Sequence, residues 1–124
     1  MSDRDVRKTV VLGASEHPWR YAHLAVNKLR AAGHPVVAIG KETGRIGDTI
    51  IHARQQDITG VHTVTIYLRR ALQEQYHDYI LGLRPQRIIF NPGAENNTLS
   101  GLASRQGIEV VNACTLVMLS TGQY

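Results

Sequence analysis

Short β-branched runs alternate along this chain with longer stretches of helical period, and that alternation constrains its fold more than any other feature. Lys8-Thr-Val-Val-Leu-Gly13 is an apolar run closed by glycine, and Tyr21, Ala25, Leu29 and Ala32 then share one helical face before Gly33. Pro35-Val-Val-Ala-Ile-Gly40 reads as a second strand, followed by a Gly-rich stretch with a small hairpin at Arg45–Ile51. Thr63-Val-Thr-Ile-Tyr67 is the third strand. Leu72, Tyr76, Tyr79, Ile80 and Leu83 carry the spacing of one amphipathic helix. Arg87-Ile-Ile-Phe90 is the fourth strand, and a helix from an Asn97 cap to Gln106 leads into a fifth, Ile108-Glu-Val-Val111, with a last helix at Ala113–Leu119.

Strands that alternate with helices of this length imply right-handed crossovers, hence an α/β domain with a mostly parallel sheet and helices on both faces. The expectation is a Rossmann-like three-layer sandwich of five strands in the order 3-2-1-4-5. Ligands of such sheets sit outside the carboxyl ends of the strands, where neighbouring crossovers leave in opposite directions.

A length of 124 residues, 43% of them hydrophobic, gives one domain over 1–124 with a core of its own. The single cysteine, Cys114, rules out an intrachain disulfide and suits a reducing compartment. The charged start Met1–Lys8 lacks the apolar run of a signal peptide, and no stretch approaches the roughly 20 apolar residues of a membrane span. Cytoplasmic is therefore the expected location, with no membrane partner. The net charge of +4 favours anions. The basic residues are scattered, and one Trp and one Phe make poor stacking platforms, so a phosphate-bearing small molecule is a better partner than nucleic acid.

The segments just after each strand are the candidates for a site. Gly13, Ala14 and Ser15 form a small-residue turn entering a helix, where backbone N–H groups and the helix dipole suit a pyrophosphate. Arg20 can close over the anion. His17 lies in the same loop as a further donor. The run is not G-x-G-x-x-G, because Ser15 and Pro18 stand at the second and third glycine positions. After the second strand comes Lys41, where a dinucleotide domain for NAD carries an acidic residue; a cation there suits a ribose phosphate. Leu68, Arg69 and Arg70 follow the third strand, and Asn91, Pro92 and Gly93 the fourth; each loop can face a ligand or serve only as turn chemistry. Basic residues also occupy the opposite edge, at Arg7, Lys8, Arg84 and Arg87.

These residues together resemble the small stand-alone CoA-binding protein family, whose fold matches the CoA-binding domain of the succinyl-CoA synthetase alpha subunit. The resemblance runs from Lys8 to Cys114. It rests on Val10-Val-Leu-Gly-Ala-Ser15 with Pro18 and Arg20, on Val36-Val-Ala-Ile-Gly-Lys41 with the Gly44-Arg-Ile-Gly47 turn, on Val64-Thr-Ile-Tyr-Leu-Arg69, and on the cysteine after the last strand. It implies coenzyme A as cofactor, with its pyrophosphate near Gly13, Ala14 and Ser15. The nucleotide end would then lie near Lys41 and the loop beginning at Leu68, with the Asn91 loop flanking the ligand. The chain departs from the family pattern at Ile39-Gly-Lys41, where relatives often read Asn-Pro-Lys, and at Arg70-Ala71, where they commonly carry proline.

No catalytic group is indicated. Ser15 has no evident base, the six histidines show no metal-ligand spacing, and Cys114 is a candidate thiol site only if it is not simply a small buried residue. The reading is a module that binds coenzyme A or an acyl-CoA, acting with an unknown protein partner or as a homodimer. The alternatives are a small NADP-dependent oxidoreductase and an interaction domain with an empty pocket.

Overall fold

A computed structural model describes residues 6–124, so part of the charged start lies outside the described residues. In chain order the elements are β1 (Thr9–Ala14), α1 (Tyr21–Ala31), β2 (Val36–Gly40), β3 (Gly44–Ile46), β4 (Thr49–His52) and β5 (Thr63–Ile66). There follow α2 (Arg70–Gln73), a 3₁₀ turn (Glu74–Tyr76), α3 (His77–Gly82), β6 (Arg87–Phe90), α4 (Asn97–Arg105), β7 (Glu109–Asn112) and α5 (Thr115–Ser120). The fold is α/β and Rossmann-like, and no helix of the described residues is long and apolar enough to cross a membrane.

The sheet corrects the expected five strands in the order 3-2-1-4-5. It has seven, in the order β3-β4-β2-β1-β5-β6-β7. The stretch read as a small hairpin beside the sheet is part of it. β3 runs out along the edge, and β4 returns antiparallel to β3 but parallel to β2, pairing Ala38 with Ile51 and Ile39 with His52. Thr49 and Ile51 point inward and Ile50 outward, the alternation of a strand with one buried face. With β4 holding the flank of β2, the strand Thr63–Ile66 crosses back to pair with the other side of β1. The segment taken for the third parallel strand is thus the fourth, and the crossovers diverge between β1 and β5.

β1 is the middle of this arrangement, paired in parallel with β2 and β5. Its register with β2 slips at the end, where Leu12 faces Ile39 and Ala14 faces Gly40 with Gly13 left over. Gly13 is the extra residue of a bulge, at φ +100°, a conformation that a side chain strongly disfavours. The bulge turns Ala14 to the face that Val11 occupies, whereas Val10 and Leu12 point to the other. On that other face Ile80 of α3 and Leu99 and Ala103 of α4 complete a cluster with Val64, Ile66, Ile88 and Phe90. On the first face α1 supplies Ala22, Val26 and Leu29, and Leu119 at the end of α5 joins them. Tyr21, assigned by periodicity to the apolar face of α1, is exposed instead; the buried stripe is Ala22, Ala25, Val26 and Leu29.

Two local expectations are also corrected. The single helix over Leu72–Leu83 is broken by the 3₁₀ turn. The fully buried Gln73 accounts for the break: its amide donates to the carbonyls of Leu68 (2.8 Å) and Ala94 (2.6 Å) and accepts from Asn96 Nδ2 (2.9 Å). That clamp fixes α2 against the strand ends, and the turn re-phases the chain so that Ile80 still reaches the core. The cap of α4 is Asn96 rather than Asn97, because it is Asn96 Oδ1 that accepts the Leu99 N–H at 3.0 Å.

The amino edge of the sheet is closed by Tyr124. Arg7 and Arg87 both donate to its backbone oxygen, Arg87 also lies 4.5 Å from its ring centroid, and the ring packs against His34. His34 Nδ1 accepts the Arg7 N–H at 3.0 Å, so this nitrogen must be unprotonated in the fold. Burial first, then the Arg7 and Arg87 charges, hold the pKa of both His34 and His62 below the ordinary value of 6.5. The unfolded chain therefore binds protons that the folded chain excludes. The contribution to stability is full above pH 6.5 and is lost as pH falls through the lowered folded values. Urea midpoints are expected to fall between about pH 7.5 and pH 5.5, and the fall is expected to shrink in His34→Asn/His62→Asn.

Candidate functional site

Where the crossovers from β1 and β5 part, the carboxyl edge of the sheet opens into two cavities of about 440 and 320 Å³. Each falls within the size range of small-molecule sites. They share Gly13, Lys41, Leu68 and Leu72 and so form one cleft with two compartments. The larger compartment is polar, lined by Ser15, Glu16, His17 and Arg20. The smaller is walled by Ile39, Gly40, Ala53, Gln75 and Tyr76.

The floor of the polar compartment is the loop after β1. Its backbone comes close to the end of β5: a Cβ on Gly13 would lie 3.2 Å from Leu68 Cδ2 and 3.3 Å from the Tyr67 backbone. The loop is held by its own side chains. Ser15 Oγ accepts the His17 N–H at 3.1 Å, which leaves the Ser15 hydroxyl proton available to a ligand. His23 of α1 reaches back to the Ser15 carbonyl at 3.0 Å; a carbonyl only accepts, so Nδ1 carries the proton. Glu16 Oε2 accepts the Arg45 N–H at 2.8 Å and ties the loop to β3. That contact requires Gly44, because a Cβ there would lie 2.4 Å from the Glu16 carboxyl carbon.

The electrostatics favour an anion. The first turn of α1 contains no acidic residue and no side chain caps it, so the positive end of the helix dipole is uncompensated. Among the described residues the one ion pair is Arg30–Asp48, and Arg20 and Lys41 make no side-chain hydrogen bond. Glu16 and Glu42 also line this compartment and keep their charges, Glu16 turned to the backbone N–H of Arg45. Arg20 and Lys41 stand in no ion pair among the described residues, so each side chain is free to turn to a ligand phosphate. Tyr67, at the end of β5, packs on the α1 face instead; burial pushes its pKa up to about 12, so the phenol stays neutral.

Of the residues singled out in the sequence, Gly13, Ala14, Ser15, Arg20, Lys41 and Leu68 come together in this cleft, with His17 beside them. The others lie apart from the two compartments. Arg69 is the residue before α2, and Arg70 points to Thr98 Oγ1 at 3.5 Å. Asn91 is 2% exposed and serves the fold: Nδ2 donates to Thr65 Oγ1 (2.7 Å) and the Ile66 carbonyl (2.9 Å), and Oδ1 accepts the Thr115 N–H (2.9 Å). Pro92 and Gly93 are exposed in the turn that follows. Cys114 is half-buried at the start of α5. The sequence reading missed Leu72, Tyr76 and Ala53. Leu72 and Tyr76 carry a core-like i, i+4 spacing, yet Leu72 is 41% exposed on the cleft wall. Ala53 follows β4 and would have been sought had that strand been placed in the sheet.

A family model described as a CoA binding domain matches residues 7–120. The crystal structure of an uncharacterized protein aligns at 43% identity over 96% of this chain and 98% of that one, with a TM-score of 0.93. A hypothetical protein from Pyrococcus horikoshii shares the fold at 19% identity, over 98% of this chain and 92% of its own (TM-score 0.84). A protein from Thermus thermophilus does so at 21% identity over the same shares (TM-score 0.82). No curated protein matches the chain.

The bonds of Asn91 lead to a direct expectation. Asn91→Ala strands the Thr115 N–H and takes a donor from Thr65 Oγ1, while the Ile66 carbonyl keeps the main-chain N–H of residue 91; the change should cost about 1–3 kcal/mol in urea unfolding, with ligand affinity of the folded protein unchanged. Weakened binding at unchanged stability would instead give this loop a place in the site.

Proposed function

The chain belongs to the CoA-binding domain family, and on that premise we propose that it binds coenzyme A or an acyl-CoA in the two-compartment cleft, as a binding module that itself performs no covalent step. The diphosphate lies over Gly13, Ala14 and Ser15 at the amino end of α1. The adenine enters the smaller compartment between Ile39 and Tyr76. Lys41, which borders both compartments, meets the phosphate on the ribose. Arg20 closes on the diphosphate from the rim.

The observation that carries this reading is the coincidence at one place of a glycine bulge, an uncapped helix start and two uncommitted cations. Each alone is common. Together they give a diphosphate backbone donors, a helix dipole and mobile charge, while the neighbouring walls offer apolar surface to a base. The chain's thiol, Cys114, borders neither compartment and has no role in this reading.

Calorimetric titration with coenzyme A, dephospho-CoA, NADPH and NAD tests it. Coenzyme A should bind most tightly, and loss of the ribose phosphate should weaken binding roughly 10- to 100-fold, the worth of one charge-assisted hydrogen bond. Lys41→Met should abolish that preference while leaving dephospho-CoA affinity nearly unchanged. Equal affinity for the two ligands in the wild type would remove the role given to Lys41. Preference for NADPH would favour a reductase.

A further inference from the structure

The two compartments adjoin, and the proposed seating of base and diphosphate leaves the far wall of the larger one for the rest of the ligand. Gly13, Lys41, Leu68 and Leu72 belong to both; Ile39, Ala53 and Tyr76 belong to the smaller one alone, and Ser15, His17 and Arg20 to the larger one alone. A molecule with its base inside and its diphosphate over Gly13–Ser15 runs outward past His17 and Arg20.

His17, on that wall, is one member of an aromatic pair whose other ring, Trp19, lies behind the lining. The rings of His17 and Trp19 stack with centroids 4.7 Å apart and planes inclined by 23°. The backbone holds them there: the Arg20 N–H donates to the His17 carbonyl at 3.1 Å, closing a turn, and the His17 N–H is bonded to Ser15 Oγ. The backbone that carries the pair is thus hydrogen-bonded to the loop after β1. Trp19 is nevertheless 71% exposed, the chain's one tryptophan with most of its surface in water. Burying so large a ring is ordinarily favourable, and this one has a neighbouring ring on one face only.

We propose that the His17–Trp19 stack is a specificity-determining platform for the pantetheine arm of a coenzyme A-type ligand, against which the arm lies as it leaves the diphosphate seat. The arm joins short apolar segments through amide groups, and an aromatic face receives both. The platform separates ligands by what they carry beyond the diphosphate, a distinction that neither compartment can make. This inference rests on the binding reading above.

The test compares coenzyme A with adenosine 3′-phosphate 5′-diphosphate, which keeps the whole nucleotide end and lacks the arm. Wild-type protein should bind both, and coenzyme A alone should shift the Trp19 emission. Trp19→Ala should weaken coenzyme A roughly tenfold and leave the armless nucleotide unchanged, and Trp19→Phe should restore most of the loss. Equal weakening of both ligands by Trp19→Ala, or of neither, overturns the platform while leaving the nucleotide site standing. Wild-type protein that binds neither ligand overturns the binding reading, and the platform with it.

Discussion

Everything that positions the cleft depends on β1 being hydrogen-bonded along both of its sides. A strand paired on one side is an edge, and its carboxyl end opens on solvent. A strand paired with β2 on one side and β5 on the other sits where the chain leaves the sheet in opposite directions. The Gly13 bulge at its end does two things at once. It rotates Ala14 into the α1 face, and it brings the backbone so close to Tyr67 and Leu68 that a side chain there would have to push its neighbours aside. The floor of the cleft is thus main chain, kept so by a positive φ and close packing at Gly13.

The two edges of the sheet, both basic in sequence, use their cations differently. At the amino edge Arg7 and Arg87 are bonded to Tyr124, and Lys8 donates to the Thr59 carbonyl. Arg87 is 4% exposed, stacked on the Tyr124 ring and bonded to Thr63. Those charges hold the fold together. At the carboxyl edge Arg20 and Lys41 have no such commitments among the described residues. The edges look alike in sequence, and it is the bonds of Arg7, Lys8 and Arg87 that mark those three as structural cations.

Much of this was legible in the sequence. The alternation of elements gave the α/β class, and the glycine closing the first apolar run pointed to the loop after β1, which floors the cleft. Three features were not legible. β4 is only four residues long and lies beyond a Gly-Asp turn, which made a sheet strand resemble a surface hairpin. Leu72 carries a helical spacing that is the same whether a residue faces core or cleft, and the buried Gln73 decides which. Asn91 follows β6 at the expected edge, but its side chain turns inward to join β5 to α5, and position alone does not give direction.

The central claim is that the main chain at the end of β1 receives the diphosphate. The most direct measurement is the backbone amide spectrum of isotopically labelled protein during a titration with coenzyme A. The largest shifts should fall on Gly13, Ala14, Ser15 and the first turn of α1, with lesser ones at Lys41 and Leu68 and none at Arg7, His34 or Arg87. Shifts centred on the amino edge, or a loop after β1 left silent at saturation, would contradict the account.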